Sequence, residues 1–378
     1  MKRIVIVAGE ASGDRLGAGL IRSLRGCIPG LVVEGVGGPR MIAAGCQALH
    51  SMERLAVMGV VEIIGHYGEL WMLRRRLIQR LRVHPPDLFI GIDAPDFNLE
   101  LEERLRAVGI PTVHYVSPQV WAWREGRLAK ITRAVDLMLT LFPFEEDYYR
   151  RHGVPVRFVG HPLADEVSFP TDKTRTRAEL GLPQAATVIA LLPGSRANEW
   201  RQHTEPFIRA AEWLSRCRAS LYFAVPLVSV AARQEFERIW VRIARDLAVS
   251  VYDGHSLKVL AAADVVLTVS GTATLESLLL RRPMVIAYRM AVLTYLVTRV
   301  MVDLPYYTLP NLLAGSRLVP ELIQRQVTPK NLGRRLLYWL DHPDKVAALQ
   351  TQFATIESQL RRNANQRAAD AVLELVAG

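Results

Sequence analysis

Arg3-Ile4-Val5-Ile6-Val7-Ala8 runs directly into Gly9-Glu10-Ala11-Ser12-Gly13-Asp14, and this junction decides the fold. Six residues rich in β-branched side chains, apolar after the first, read as a strand buried on both faces. The small residues that follow make a turn, and Leu16–Leu24 reads as the helix that leaves it. Similar apolar runs recur at Leu31–Val36, Asp87–Ile92, Thr112–Val116, Leu137–Leu141 and Val156–Val159, with helical stretches such as Glu69–Val83 and Leu99–Val108 between them. Strands alternating with helices predict a parallel sheet covered on both sides. A second series begins at Thr187–Leu192 and continues at Leu221–Val225, Val249–Tyr252, Val265–Val269 and Met284–Ala287. Between the two series, Asp165–Arg177 is polar and carries Pro170, so it reads as a linker. From Pro343 onwards, Val346, Leu349, Phe353, Ile356 and Leu360 follow helical spacing. The expected architecture is α/β, with two Rossmann-like parallel-sheet domains at 1–165 and 166–345 facing across a cleft. A C-terminal helical segment, 346–378, is expected to pack across the domains or onto a partner subunit.

The 378 residues suit two or three domains, and 50% hydrophobic with 22% charged residues is globular composition. Lys+Arg number 47 against 37 Asp+Glu, a formal net charge of +10. That excess favours an anionic partner: nucleic acid, a phosphorylated substrate or an acidic membrane surface. No nucleic-acid-binding signature or basic–aromatic interleaving accompanies the charge, so nucleic acid is the weakest of the three. Cys27, Cys46 and Cys217 lie far apart, which disfavours a disulfide scaffold or a cysteine-bound zinc and fits a reducing cytosol. The opening apolar run is too short for a signal peptide, and no stretch reaches the roughly 20 apolar residues of a spanning helix.

Chemistry-bearing motifs fall after the strands, where open α/β sheets bind ligands. Glu10, Ser12 and Gly13 belong to the first turn, which is not a GxGxxG dinucleotide fingerprint; Ser12 also suits a helix cap and Asp14 the helix dipole. Gly91-Ile92-Asp93-Ala94-Pro95-Asp96-Phe97-Asn98 offers Asp93 at the turn as a general base, with Asp96 suited to a cap. His114 is a second candidate base, although a histidine in an apolar strand more often belongs to the core. Trp121 and Trp123 could stack on a sugar or pack beneath a loop. Leu192-Pro193-Gly194-Ser195-Arg196 presents the Ser195 N–H and the Arg196 guanidinium, which suits phosphate oxygens. Ser270-Gly271-Thr272-Ala273-Thr274-Leu275-Glu276 opens a helix whose amides and hydroxyls suit a diphosphate, with Glu276 placed for ribose hydroxyls. Asn311 lies in Pro305–Ala314, which reads as an irregular loop with two prolines, and could bond a sugar hydroxyl or phosphate, or hold the turn. Leu70, Leu73, Leu77 and Leu81 line one helix face beside Arg74, Arg75, Arg76, Arg80 and Arg82. With the apolar stretches 55–65 and 290–302, that face suits either lipid or the core.

Together, AGEASGD, VMGVVEIIG, GIDAPDFN, HYVSPQVWAWR, LLPGSR, SGTATLE and LPNLLAG resemble the lipid-A-disaccharide synthase family from about residue 3 to the C-terminus. The resemblance implies the GT-B fold and an inverting glycosyltransferase. It would join UDP-2,3-diacylglucosamine to 2,3-diacylglucosamine 1-phosphate (lipid X), giving a β-1,6 disaccharide 1-phosphate and UDP. It assigns Asp93 and Asn311 to catalysis. UDP and substrate contacts fall to Glu10, Ser12, Gly13, Ser195, Arg196, Ser270, Gly271, Thr272, Thr274 and Glu276. It implies a cytoplasmic protein bound peripherally to the inner face of the inner membrane, and a possible homodimer. No DxD motif stands near the diphosphate segment, so neither metal nor cofactor is expected. Another UDP-sugar enzyme of the same fold, such as a UDP-N-acetylglucosamine 2-epimerase, is the alternative. A non-enzymatic membrane-binding module is a third reading.

Overall fold

The computed structural model describes residues 2–52, 55, 63–118, 125–167, 169, 171–291, 295 and 305–377. The stretches around 56–62 and 296–304, and Trp121 and Trp123, lie outside the described residues. Two compact units divide the chain: Met1–Asp165 with Gln359–Gly378, and Glu166–Ser358.

The first unit holds β1 (Arg3–Ala8), β2 (Val32–Gly37), β3 (Cys46–Ser51), β4 (Leu88–Ile92), β5 (Thr112–Tyr115), β6 (Leu137–Thr140) and β7 (Val156–Phe158). They order as β3-β2-β1-β4-β5-β6-β7, and every pairing is parallel. The apolar run of β1 is explained by its two buried faces. Ile4, Ile6 and Ala8 pack with Leu16, Leu20, Ile21 and Leu24 of the helix Ala11–Cys27 and with Ala368, Ala369 and Val372 of the helix Ala364–Ala377. Val5 and Val7 pack on the other side with Leu73, Leu77 and Leu81 of the helix Ile63–Val83 and with Phe97, Leu101 and Leu105 of the helix Pro95–Arg106. Three of the four leucines that could have faced lipid are therefore core. Trp71 and Met72, 46% and 47% exposed, and Val83 at the helix end are apolar side chains that this helix shows to solvent.

The second unit repeats the scheme with β8 (Thr187–Leu192), β9 (Leu221–Leu227), β10 (Val249–Asp253), β11 (Val265–Val269), β12 (Met284–Tyr288) and β13 (Glu321–Ile323), ordered β10-β9-β8-β11-β12-β13 and again parallel. The expected linker is partly helix. Asp172 accepts from Arg175 N at 2.9 Å and caps Lys173–Glu179. Its polarity misleads because the buried Arg177 donates to the carbonyls of Ala262, Gln184 and Ala186 and to Asp264. Replacing an N-cap aspartate costs about 1 kcal/mol. Asp172→Ala should therefore lower the melting temperature of this unit by roughly 2–4 °C, read by calorimetry.

The C-terminal residues do not stand apart as 346–378. Pro343–Leu360 falls almost wholly in the second unit and Ala364–Ala377 in the first. Asp165 fixes the last helix by accepting from Asn363 N and Ala364 N, at 3.0 and 2.6 Å. Among the described residues no helix is long and apolar enough to cross a membrane.

Candidate active site

In each sheet the strand order reverses once, between β1 and β4 in the first unit and between β8 and β11 in the second. Crevices open at such points because the loops after the two central strands leave in opposite directions. Four of the motifs singled out from sequence sit on those loops. Glu10, Ser12 and Gly13 follow β1, and Asp93 follows β4. Ser195 and Arg196 follow β8, and Ser270–Glu276 follows β11.

In the first unit the two loops touch. A Cβ on Gly9 would lie 2.8 Å from Ala94 Cβ, so glycine is what lets them approach. Glu10 and Ser12 are exposed there, whereas Gly13 is buried against Ala8 and Ile92 and serves packing. Asp14 is structural. Its buried carboxylate accepts from the amides of Gly38, Arg40 and Met41 at 2.8–3.0 Å and caps the helix Pro39–Ala43. Asp93 and Ala94 are consecutive left-handed residues, with φ of 52° and 44°. Such conformations cost about 1–3 kcal/mol each and persist only where the surroundings impose them. Here Asp93 N donates to Tyr115 O at 2.9 Å, and Asn98 Nδ2 donates to the carbonyls of Asp93, Ile92 and Val7 at 2.8, 3.3 and 3.3 Å. The Asp93 carboxylate is half-buried and bonds no side chain among the described residues. Asp96 is exposed and paired with Arg127, so it is not the cap of its helix, which starts from Ala94.

His114 is not at the loop tips. It is fully buried, its Nδ1 2.7 Å from Glu102 Oε1. Burial pushes the Glu102 carboxyl above its usual range, against the pull of His114. Glu102 and Asn98 were missed from sequence. The available signal was two polar residues four apart within a buried stripe that also holds Phe97, Leu101 and Leu105.

In the second unit, Gly194 turns the chain with φ +125°, and Ser195 and Arg196 are exposed beyond it. Their amides are not vacant: Glu199 Oε2 accepts from both, at 3.0 and 3.2 Å, and its Oε1 lies 3.3 Å from Arg196 Nη1. A carboxylate on two successive amides and a guanidinium shows that this turn holds an anion. After β11, Gly271 and Thr272 are exposed, and Thr274 is buried with its hydroxyl on Gly271 O. Ser270 Oγ donates to Tyr307 O at 3.3 Å, tying this loop to the segment before Asn311.

Asn311 is fully buried and its amide is saturated. Nδ2 donates to Val319 O and Glu321 Oε1, and Oδ1 accepts from Leu318 N and Val319 N, all within 3.0 Å. An amide offers two donor hydrogens and two acceptor sites, so nothing is left for a substrate. Glu321 in turn accepts from Thr308 Oγ1 and Tyr307 N. Asn311 thus holds the turn that presents Tyr307 to Ser270.

His203 anchors the helix Ala197–Cys217. Its Nε2 accepts from Arg289 N at 2.7 Å, so the ring is neutral and Nδ1 donates to Glu199 O. Burial holds its pKa below the ordinary value near 6.5. A depressed histidine contributes stability in full above about pH 6.5, and that stability is lost as pH falls towards the folded pKa. The melting temperature should therefore drop on going from pH 7.5 to 5, and His203→Gln should flatten that slope. An unchanged slope would remove His203 from the account.

A family model described as lipid-A-disaccharide synthetase matches residues 4–375. A protein named lipid-A-disaccharide synthase from Azotobacter vinelandii is 53% identical over 375 residues, 99% of this chain and 98% of its own length. Another of that name, from Alkalilimnicola ehrlichii, is 49% identical over 378 residues, covering 100% of this chain and 99% of its own. Among solved structures, a UDP-GlcNAc 2-epimerase from Neisseria meningitidis bound to UDP-GlcNAc matches with a TM-score of 0.68 at 12% identity, covering 99% of this chain and 100% of that one. Anabaena HepE in complex with UDP and glucose matches with a TM-score of 0.60 at 14% identity, again over 99% and 100%. These likenesses carry the fold: two Rossmann-like parallel-sheet domains of the GT-B kind.

Proposed function

The chain belongs to the lipid-A-disaccharide synthetase family, and from that premise we propose how its residues work as those of an inverting glycosyltransferase. The donor is UDP-2,3-diacylglucosamine and the acceptor is 2,3-diacylglucosamine 1-phosphate. The products are the β-1,6 disaccharide 1-phosphate and UDP. The observation that carries the reading is identity near half along the whole chain, together with four of the family's motifs standing on the loops of both switch points. The epimerase alternative rests on likeness at 12% identity, which speaks for fold alone.

Asp93 takes the proton of the acceptor 6-hydroxyl as that oxygen attacks the anomeric carbon from the face opposite UDP. Its carboxylate, unpaired among the described residues and set on a strained turn, suits a base that must reach a substrate. Arg196 and the amides around Ser270–Thr274 stabilise charge growing on the departing diphosphate, the kind of contribution that is often the largest in catalysis. Glu276 receives the ribose hydroxyls, and Glu10 and Ser12 face the acceptor. Asn311 acts by holding the Tyr307 segment, not by touching substrate.

Trp71 and Met72 are exposed on a helix that also exposes Arg75, Arg76, Arg80 and Arg82, with the Arg75 guanidinium 5.3 Å over the Trp71 ring. That combination suits peripheral attachment to the anionic inner face of the inner membrane, where both lipids reside. A homodimer is part of the same proposal. The test is release of UDP: it should require both lipids together. A membrane-binding module would bind liposomes regardless of UDP and release none.

A further inference from the structure

Gly91, at the end of β4, carries a load that the reaction scheme above does not use. Two side chains of the helix Pro95–Arg106 lie over it. A Cβ there would stand 2.1 Å from Glu102 Oε1 and 2.9 Å from Asn98 Cβ. Register places His114 of β5 beside Gly91, which is why Glu102 can reach across the bare Cα to His114 Nδ1. All three side chains are fully buried. Asn98 Oδ1, Glu102 Oε2 and His114 Nε2 each lack a hydrogen-bond partner among the described residues. Such groups are costly in a core and are retained where they do something that packing cannot. What Asn98 does is visible: its Nδ2 gathers the carbonyls that end β1 and β4 and holds Asp93 O at 2.8 Å.

We propose that Asn98, seated over Gly91 and backed by the Glu102–His114 pair, is a positioning residue that holds the left-handed Asp93–Ala94 turn in its reactive orientation. The inference rests on Asp93 being the base. Without Asn98 the turn is free to relax towards ordinary backbone angles, which would swing the carboxylate away from the acceptor hydroxyl. Misplacement by about 1 Å can cost on the order of a hundredfold in rate.

A double-mutant cycle tests it, with Asn98→Ala made in the wild-type and Asp93→Asn backgrounds and folding checked by thermal melting. In the wild-type background kcat should fall about tenfold or more while KM for both lipids stays within about twofold. In the Asp93→Asn background the same change should cost less than about twofold, because there is no base left to position. Equal fold losses in both backgrounds would make Asn98 a merely structural residue and overturn the proposal, as would full activity of Asn98→Ala. Should Asn98→Ala fail to fold, Asn98→Ser, too short to span the three carbonyls, carries the same comparison. A fully active Asp93→Asn single variant would instead remove the base assignment, a failure distinguishable from the first.

Discussion

Asp93→Asn should lower disaccharide formation by at least about a hundredfold, the lower range for a lost general base, with the protein folded and its melting temperature unchanged. Asparagine is the informative replacement for a reason specific to this turn. Asp93 has φ 52°, and asparagine is among the few residues that tolerate that region. The amide also matches the carboxylate in shape. The backbone, with Asp93 N on Tyr115 O and Asp93 O on Asn98, is therefore undisturbed, and only basicity is lost. Asp93→Ala would confound the two. Single-turnover rates should fall with KM little changed, since a base acts in the transition state more than in the ground state. A fully active, folded Asp93→Asn would leave the transferase without this base.

Arg196→Ala is expected to cost about a hundredfold in kcat/KM, the scale on which a single donor to a developing negative charge is felt. The side chain is three-quarters exposed and, among the described residues, is held only by Glu199 three residues on. An ion pair whose arginine is this exposed is worth about 0–1 kcal/mol, and Glu199 keeps its two amide partners, so stability should not suffer. The loss should fall on the donor: UDP should compete less well, while the acceptor KM is unaffected. Arg196→Lys should recover part of the rate, because an ammonium keeps the charge but not the paired donors. Unaltered kcat/KM in Arg196→Ala would place the diphosphate elsewhere.

Much of the frame was legible because buried parallel strands are written as unbroken apolar runs. Arg3–Ala8, Thr187–Leu192 and Val265–Val269 stand in the structure as read. β3 escaped because Cys46–Ser51 is an edge strand of mixed polarity, and β13 because Glu321–Ile323 is three residues long. The site loops were legible through their motifs, since glycine, proline and small residues at strand ends mark turns. What residues do within those loops was less so. Asn311 and Asn98 are both amides within recognisable motifs, yet Asn98 donates to three backbone carbonyls, and Asn311 spends its hydrogen bonds on backbone groups and Glu321. The Glu102–His114 pair joins a helix to a strand across a glycine on a third element, a juxtaposition that spacing along the chain does not encode.

The most direct measurement incubates the purified protein with UDP-2,3-diacylglucosamine and 2,3-diacylglucosamine 1-phosphate in detergent and follows products by mass spectrometry. Disaccharide 1-phosphate and UDP should appear in equal amounts, with the new linkage β by NMR. A folded protein that binds UDP yet forms no disaccharide would contradict the account.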